Sequence, residues 1–289
     1  MISSVLLRMI FVLTAYGFPS KITTGRPALQ TTDGNDPIAV FVSCGDRWEM
    51  TKMFRLDSDS NFLKYRLKTV SSIAEYRALV IGDHNQELIA LDKEIPGIAL
   101  DIRYATSDNL MKQPVYRIAA AYMRAPAAKA LKAIEGELNK KGVGLKIFDG
   151  YRPYAVTVKF YEQYHDTAFV ASPYTGSKHN RGCAVDLTLL DLKTGKELKM
   201  PTPYDSFTKE SNSNYPTSDA EALKNRELLK AMMLSHGFLT VADEWWHFDF
   251  AGWEKYPVMD ISFELLIFNY ATADYKLPGI LLKKKLQYE

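Results

Sequence analysis

The spacing of apolar residues changes period several times along the chain, and each change marks an element. Between Ala125 and Gly142 the apolar positions Ala127, Leu131, Ile134 and Leu138 recur at the spacing of one helix face, with Pro126 in the first turn and Gly142 as the stop. Leu145 to Asp149 then reads as a short buried strand, Gly150 to Pro153 as a turn, and Val156 to His165 as a second amphipathic helix led by Pro153. Strict alternation in Cys183-Ala-Val-Asp-Leu-Thr-Leu189 predicts a strand from Gly182 to Leu190. It puts Cys183, Val185, Leu187 and Leu189 on one face and Ala184, Asp186 and Thr188 on the other. Ser218 and Glu221 have the spacing of a capping box before a helix that turns Leu223, Leu229, Met232 and Met233 inward and ends at Gly237. Two short strands, Phe238 to Val241 and Trp246 to Phe250, follow as a hairpin around Ala242 to Trp245.

The first ninety residues carry weaker patterns. Phe41-Val42 and Leu79-Val80-Ile81 read as strands, Lys64 to Tyr76 as helical, and the polar, turn-rich residues 20 to 35 as a linker. Helices and strands do not alternate in a βαβ rhythm. The expected class is therefore α+β, with a largely antiparallel central sheet flanked by helices.

Composition narrows the function. With 47% apolar residues, 289 residues are ample for a real core. The 36 basic and 34 acidic side chains are spread evenly, so the concentrated basic stripe of a nucleic-acid binder is missing and no nucleic-acid partner is expected. The run Lys283-Lys284-Lys285 reads as a solvated tail. Cys44 and Cys183 form no CxxC pair, and Cys183 fits a small buried core residue. Residues 1 to 17 are apolar and end in small residues, as an export signal does, although Arg8 interrupts the run and no basic residue precedes it. A functional signal implies a periplasmic or secreted protein; without one the protein is cytoplasmic. No uninterrupted apolar run reaches the 18 or so residues of a membrane-spanning helix.

The chemistry gathers in two segments, Gly176-Ser-Lys-His-Asn-Arg-Gly-Cys-Ala-Val-Asp186 and Asp243-Glu-Trp-Trp-His247. His179, Asp186 and His247 offer two imidazoles and a carboxylate, donors suited to a single Zn²⁺ with a fourth position left for water, and the site would lie on the sheet. Glu244 is then the candidate to take a proton from that water, and Arg152 the fixed cation for charge developing on an attacked carbonyl. In a regular strand Glu244 and His247 point to opposite faces, so a turn or bulge is required near Trp245. Each residue alone has a plainer use. Asp186 could cap a turn, Arg152 could pair with Asp149, and Trp245, Trp246 and Phe248 fit a core better than a substrate platform. His84, His165 and His236 are expected to be a loop residue and two helix-end residues.

The combination Ser177-x-His179-x-x-Gly182-x-Ala184-x-Asp186 with Glu244-Trp-Trp-His247 resembles the signature of the zinc D-alanyl-D-alanine dipeptidases, the family of the vancomycin-resistance dipeptidase. Asp101-Ile-Arg-Tyr-Ala-Thr-Ser-Asp-Asn109, Asp149-Gly-Tyr-Arg-Pro153 and Asp186-Leu-Thr-Leu189 are similar to family blocks in the same order. The resemblance implies one zinc held by His179, Asp186 and His247, with Glu244 as general base and Arg152 stabilising the tetrahedral intermediate. It also implies a dipeptide pocket lined by Tyr104 and Ser177, with Asp205 receiving the substrate ammonium. Asp186 would assist with the ammonium and Ser177 with the carboxylate. Two features depart from the family pattern: Pro201 and Pro203 occupy a run that usually contains glycine, and Leu110 replaces an aromatic residue.

The expected organisation is a possible signal at 1–17, an extension at 18–90, a catalytic domain at 91–265 and a tail at 266–289. The expected function is zinc-dependent hydrolysis of D-alanyl-D-alanine or a close D,D-dipeptide. Its rivals are a D,D-carboxypeptidase or endopeptidase acting on peptidoglycan stems and a zinc-containing binding module without catalysis. The latter has no need of Glu244 or Arg152.

Overall fold

The computed structural model describes residues 10–12, 38–44, 47–54, 58–167 and 170–273. The linker at 20–35, the lysine run at 283–285 and all of the candidate signal except residues 10–12 lie outside the described residues. The chain divides into two compact units, residues 1–56 with 264–289, and residues 57–263.

The first unit holds a three-stranded sheet of β1 (Ile10–Val12), β2 (Ile38–Cys44) and β3 (Arg47–Phe54), with β1 parallel and β3 antiparallel to the central β2. The expected strand at Phe41-Val42 falls within β2.

The second unit opens with α1 (Ser58–Tyr65) and α2 (Ile73–Gly82). These correct two expectations. Lys64 to Tyr76 is not one helix, because Arg66 takes a left-handed φ of 59° after α1 and Val70 bridges to Met259 in extended form. Leu79 to Ile81 is helical, not a strand, because a capping box fixes α2 upstream: Glu75 N–H donates to Ser72 Oγ and Ser72 N–H to Glu75 Oε2, both at 3.2 Å. A two-stranded ribbon of β4 (Leu88–Ala90) and β6 (Tyr122–Arg124) brackets α3 (Leu91–Glu94) and β5 (Ala99–Leu100).

Next come α4 (Ala125–Asn139), β7 (Val143–Asp149), α5 (Tyr154–Tyr164), β8 (Ala184–Asp191), α6 (Ala220–Ser235), β9 (Phe238–Thr240) and β10 (His247–Phe250). The central sheet has the order β5-β7-β8-β10-β9, and only the β5–β7 pair is parallel. This is the largely antiparallel α+β sheet that the patterning predicts. Leu131, Ile134 and Leu138 of α4 are fully buried, so the apolar stripe faces the core as expected. Cys183 is also fully buried.

The start and the inner face of α6 differ from expectation. Asp219, not Ser218, is the N-cap; its Oδ1 accepts from the N–H groups of Glu221 and Ala222. The helix turns Ala222, Leu229, Met232 and Met233 inward, and Leu223, off that face by its spacing, is left 37% exposed. A last helix, α7 (Phe263–Ala273), follows at the boundary between the units. Among the described residues no helix is long and apolar enough to cross a membrane.

Candidate metal centre and cleft

Three adjacent strands build the floor of the site. β8 is the middle strand, and its Asp186 is opposed by His247 on β10 and Asp149 on β7. Leu187 N–H donates to Trp246 O and Phe250 N–H to Cys183 O, so Asp186 and His247 fall between hydrogen-bonded pairs, where side chains approach each other most closely. A register shift between Ile147 and Asp149 carries β7 into the turn that holds Arg152. Trp245 and Trp246 form the turn required to bring Glu244 round to His247.

His179 comes from the loop before β8, in a short 3-10 turn from His179 to Arg181. Gly182 closes that turn at φ 69°, and a Cβ there would meet Leu88 at 2.5 Å, so only glycine fits. His179 N–H donates to Ser177 Oγ at 3.2 Å, and Arg152 N–H donates to His179 O at 3.1 Å.

The donor atoms converge. His179 Nε2 is 3.2 Å from His247 Nδ1 and 3.4 Å from Asp186 Oδ1, and the latter two are 3.0 Å apart. Donors bound at about 2.0–2.1 Å to a tetrahedral ion stand roughly 3.3 Å from one another, so the triangle has the size of one face of a zinc site. Each imidazole is fixed from behind. His179 Nδ1 lies 2.7 Å from Gly150 O and His247 Nε2 lies 3.0 Å from Asp249 Oδ1, contacts that leave His179 Nε2 and His247 Nδ1 as the ring nitrogens turned toward Asp186, where they would share an ion. Gly150 is confined as well, since a Cβ there would meet Tyr122 O at 2.8 Å.

The electrostatics favour a cation at this point. Burial works against an ionised Asp186, but the two imidazoles beside it hold its carboxyl well below the usual carboxylate range. Burial likewise opposes charge on His247, yet its bonds to Asp186 and Asp249 push it up to about 10. A proton there occupies the place a divalent ion would take, and ligation releases it.

Glu244 Oε2 lies 3.6 Å from His247 Nδ1, and burial raises its carboxyl above the ordinary value, as suits a base. Arg152 is 8% exposed and meets Asp149 Oδ2 through Nε at 3.0 Å and Nη2 at 2.7 Å, with its guanidinium over the rings of Tyr104 and Phe160. The pairing with Asp149 thus coexists with a place in the cleft. Tyr104 Oη donates to Asp205 Oδ2 at 3.2 Å. Asp205 adopts a left-handed φ of 57°, and burial followed by the nearby Asp186 pushes its carboxyl up to about 7.

Tyr104, Arg152, Ser177, His179, Asp186, Asp205, Glu244 and His247 all line one cleft of about 490 Å³. Trp245 and Trp246 are core residues, 3% and 1% exposed, with Trp245 Nε1–H donating to Thr202 Oγ1 and Trp246 forming part of the cleft wall. The other histidines lie elsewhere. His165 ends α5, His236 ends α6 with its ring against Met232 O, and His84 is in a 3-10 turn. Among the described residues, His179, Asp186 and His247 form the single group with the geometry of a metal site.

Two partners of the ligands are absent from the sequence expectations. Asp249 follows His247 by two residues on the same strand face, a spacing that could have identified it. Tyr204, whose hydroxyl donates to Asp186 Oδ2 at 3.0 Å, lies in an irregular segment and gave no such signal.

Residues 84–264 match the family model described as D-ala-D-ala dipeptidase. The chain is similar to the D-alanyl-D-alanine dipeptidase of Escherichia coli K12, at 32% identity over 181 residues, or 63% of this chain and 93% of that protein. It is also similar to the enzymes of the same name from Enterococcus faecalis, at 28% identity over 63% of this chain and 96% of the relative, and Enterococcus faecium, at 30% over 58% and 92%. With the family model covering well over half of its length and the Escherichia coli relative matched almost end to end, the chain belongs to the D-alanyl-D-alanine dipeptidase family of metallopeptidases.

Proposed function

We propose that this protein hydrolyses D-alanyl-D-alanine to free D-alanine in the cleft around His179, Asp186 and His247. The observation that carries the reading is the triangle of donor atoms 3.0 to 3.4 Å apart with the Glu244 carboxylate beside it. Zinc held by these three residues supplies a Lewis acid and a water acidified to a pKa of about 7.

The chain's own residues do the rest. Glu244 accepts a proton from the attacking water as its oxygen bonds to the scissile carbonyl carbon, then passes a proton to the departing nitrogen as the C–N bond breaks. Arg152 is locked by Asp149 and two aromatic rings, so its donors need no reorganisation as negative charge grows on the carbonyl oxygen. At the other end of the cleft, Asp205 with Tyr104 receives the ammonium and Asp186 adds negative potential. Ser177 assists the carboxylate. A free dipeptide brings two charges into a partly buried site, and each needs a partner there.

The acid at the ammonium end favours a free dipeptide over a peptidoglycan stem, whose corresponding nitrogen is acylated. Turnover of D-Ala-D-Ala, N-acetyl-D-Ala-D-Ala, L-Ala-L-Ala and a pentapeptide stem, with zinc content measured on the same sample, tests the reading. Efficient cleavage of the free D,D-dipeptide alone supports it. Equal use of the acetylated compound or the stem rejects the role given to Asp205.

A further inference from the structure

We infer that Tyr204 is a positioning residue of the metal centre, fixing which oxygen of Asp186 faces the ion and tying the segment that carries Asp205 to that ligand. The inference rests on the zinc reading of His179, Asp186 and His247.

Asp186 Oδ1 is the oxygen within 3.0 Å of His247 Nδ1 and 3.4 Å of His179 Nε2. The Tyr204 hydroxyl donates to the other oxygen, Oδ2, at 3.0 Å. A carboxylate rotates easily about its last torsion, and a hydrogen bond to one oxygen holds the other in place. The two imidazoles already have such partners in Gly150 O and Asp249, so Tyr204 completes the set, one orienting group for each ligand.

The phenol itself is well anchored. Its ring stacks on Phe148 at a centroid distance of 4.5 Å and meets Trp246 edge-on at 5.5 Å. Phe148 precedes Asp149 on β7, and Trp246 precedes His247 on β10. The ring is thus held by β7 and by the turn that leads into β10, on either side of Asp186. The next residue, Asp205, has left-handed backbone geometry and lies in a segment, residues 200–208, with no helix or strand. Its side chain meets Tyr104, so Tyr204 and Tyr104 hold the segment from two sides. Through Tyr204 the ammonium end of the cleft is placed relative to the metal ligands.

The test uses the full-length protein and the variants Tyr204→Phe and Tyr204→Ala. Zinc affinity is measured by competition with a chromophoric chelator, and kcat and KM for D-Ala-D-Ala are measured at saturating zinc. Tyr204→Phe keeps the ring and loses the hydrogen bond, so zinc binding is expected to weaken about 10- to 100-fold. Its KM is expected to stay within about twofold of the parent. Tyr204→Ala also removes the ring and is expected to raise KM. Zinc affinity equal to the parent's in Tyr204→Phe overturns the role toward Asp186, and an unchanged KM in Tyr204→Ala overturns the tie to Asp205. A parent protein that binds no zinc overturns the metal reading itself, a result distinct from either.

Discussion

The two halves of the cleft are built differently. In the metal half two of the three ligands stand on paired strands, Asp186 and His247 facing each other across β8 and β10, while His179, in a 3-10 turn, is pinned by Gly150 O, Ser177 Oγ and Arg152 N–H. The substrate half is carried by irregular backbone. Tyr104 lies in a 3-10 turn and Asp205 in a left-handed kink. Strand register fixes Asp186 against His247, and the hydrogen bonds around His179 fix the third donor, with the precision that sharing one ion requires. Loops can change without disturbing the sheet, and the proposed recognition of the dipeptide falls to them.

The contrast gives an order of effects. Changes in the metal half should be all-or-none. Asp186→Ala removes one of three ligands, and the expected result is loss of both turnover and bound zinc, checked by elemental analysis beside the assay. Activity retained with zinc absent would break the division between the halves. Glu244→Ala should separate chemistry from ligation, keeping zinc while turnover falls about 10²- to 10⁴-fold.

Arg152→Lys comes next. It preserves a positive charge for the buried Asp149 but loses the planar fork, so kcat should fall about 10²-fold with little change in KM. A change confined to KM would make Arg152 a binding residue. The smallest effect belongs to the substrate half, where Asp205→Asn should raise KM about 10- to 100-fold, the worth of a hydrogen bond to a charged group.

Asp205 also gives a pH dependence of definite sign. Its carboxyl is pushed up to about 7 by burial and by Asp186, and in the proposed role it would have to be ionised to receive an ammonium. As pH falls through that value the residue gains a proton, so kcat/KM for D-Ala-D-Ala should decline on the acid side. A bound dication draws this limb lower. The Asp205→Asn variant should lack the limb, and an identical profile in both proteins would assign it to another group.

Legibility in the sequence follows the same division. Alternation from Cys183 to Leu189 gave β8 and the face carrying Asp186, and the offset between Glu244 and His247 required the turn that Trp245 and Trp246 form. These are local geometric consequences of period-2 backbone. The failures came where a local pattern had two solutions. Leu79 to Ile81 is apolar enough for a strand, but the Ser72–Glu75 capping box commits it to a helix. Ser218 and Asp219 could each cap α6, and Asp219 does so; Leu223 stays outside because its spacing from Leu229 and Met233 takes it off the inward face. Tyr204 was out of reach for another reason. Its bond to Asp186 spans 18 residues and depends on a ring seated against β7 and the turn before β10, which no period in the sequence encodes.

The most direct measurement is an anomalous difference map at the zinc absorption edge from crystals of the zinc-loaded protein. The expected result is one peak per chain, about 2.0–2.2 Å from His179 Nε2, Asp186 Oδ1 and His247 Nδ1. A peak bound elsewhere, or one that any of these three side chains fails to reach, would contradict the account.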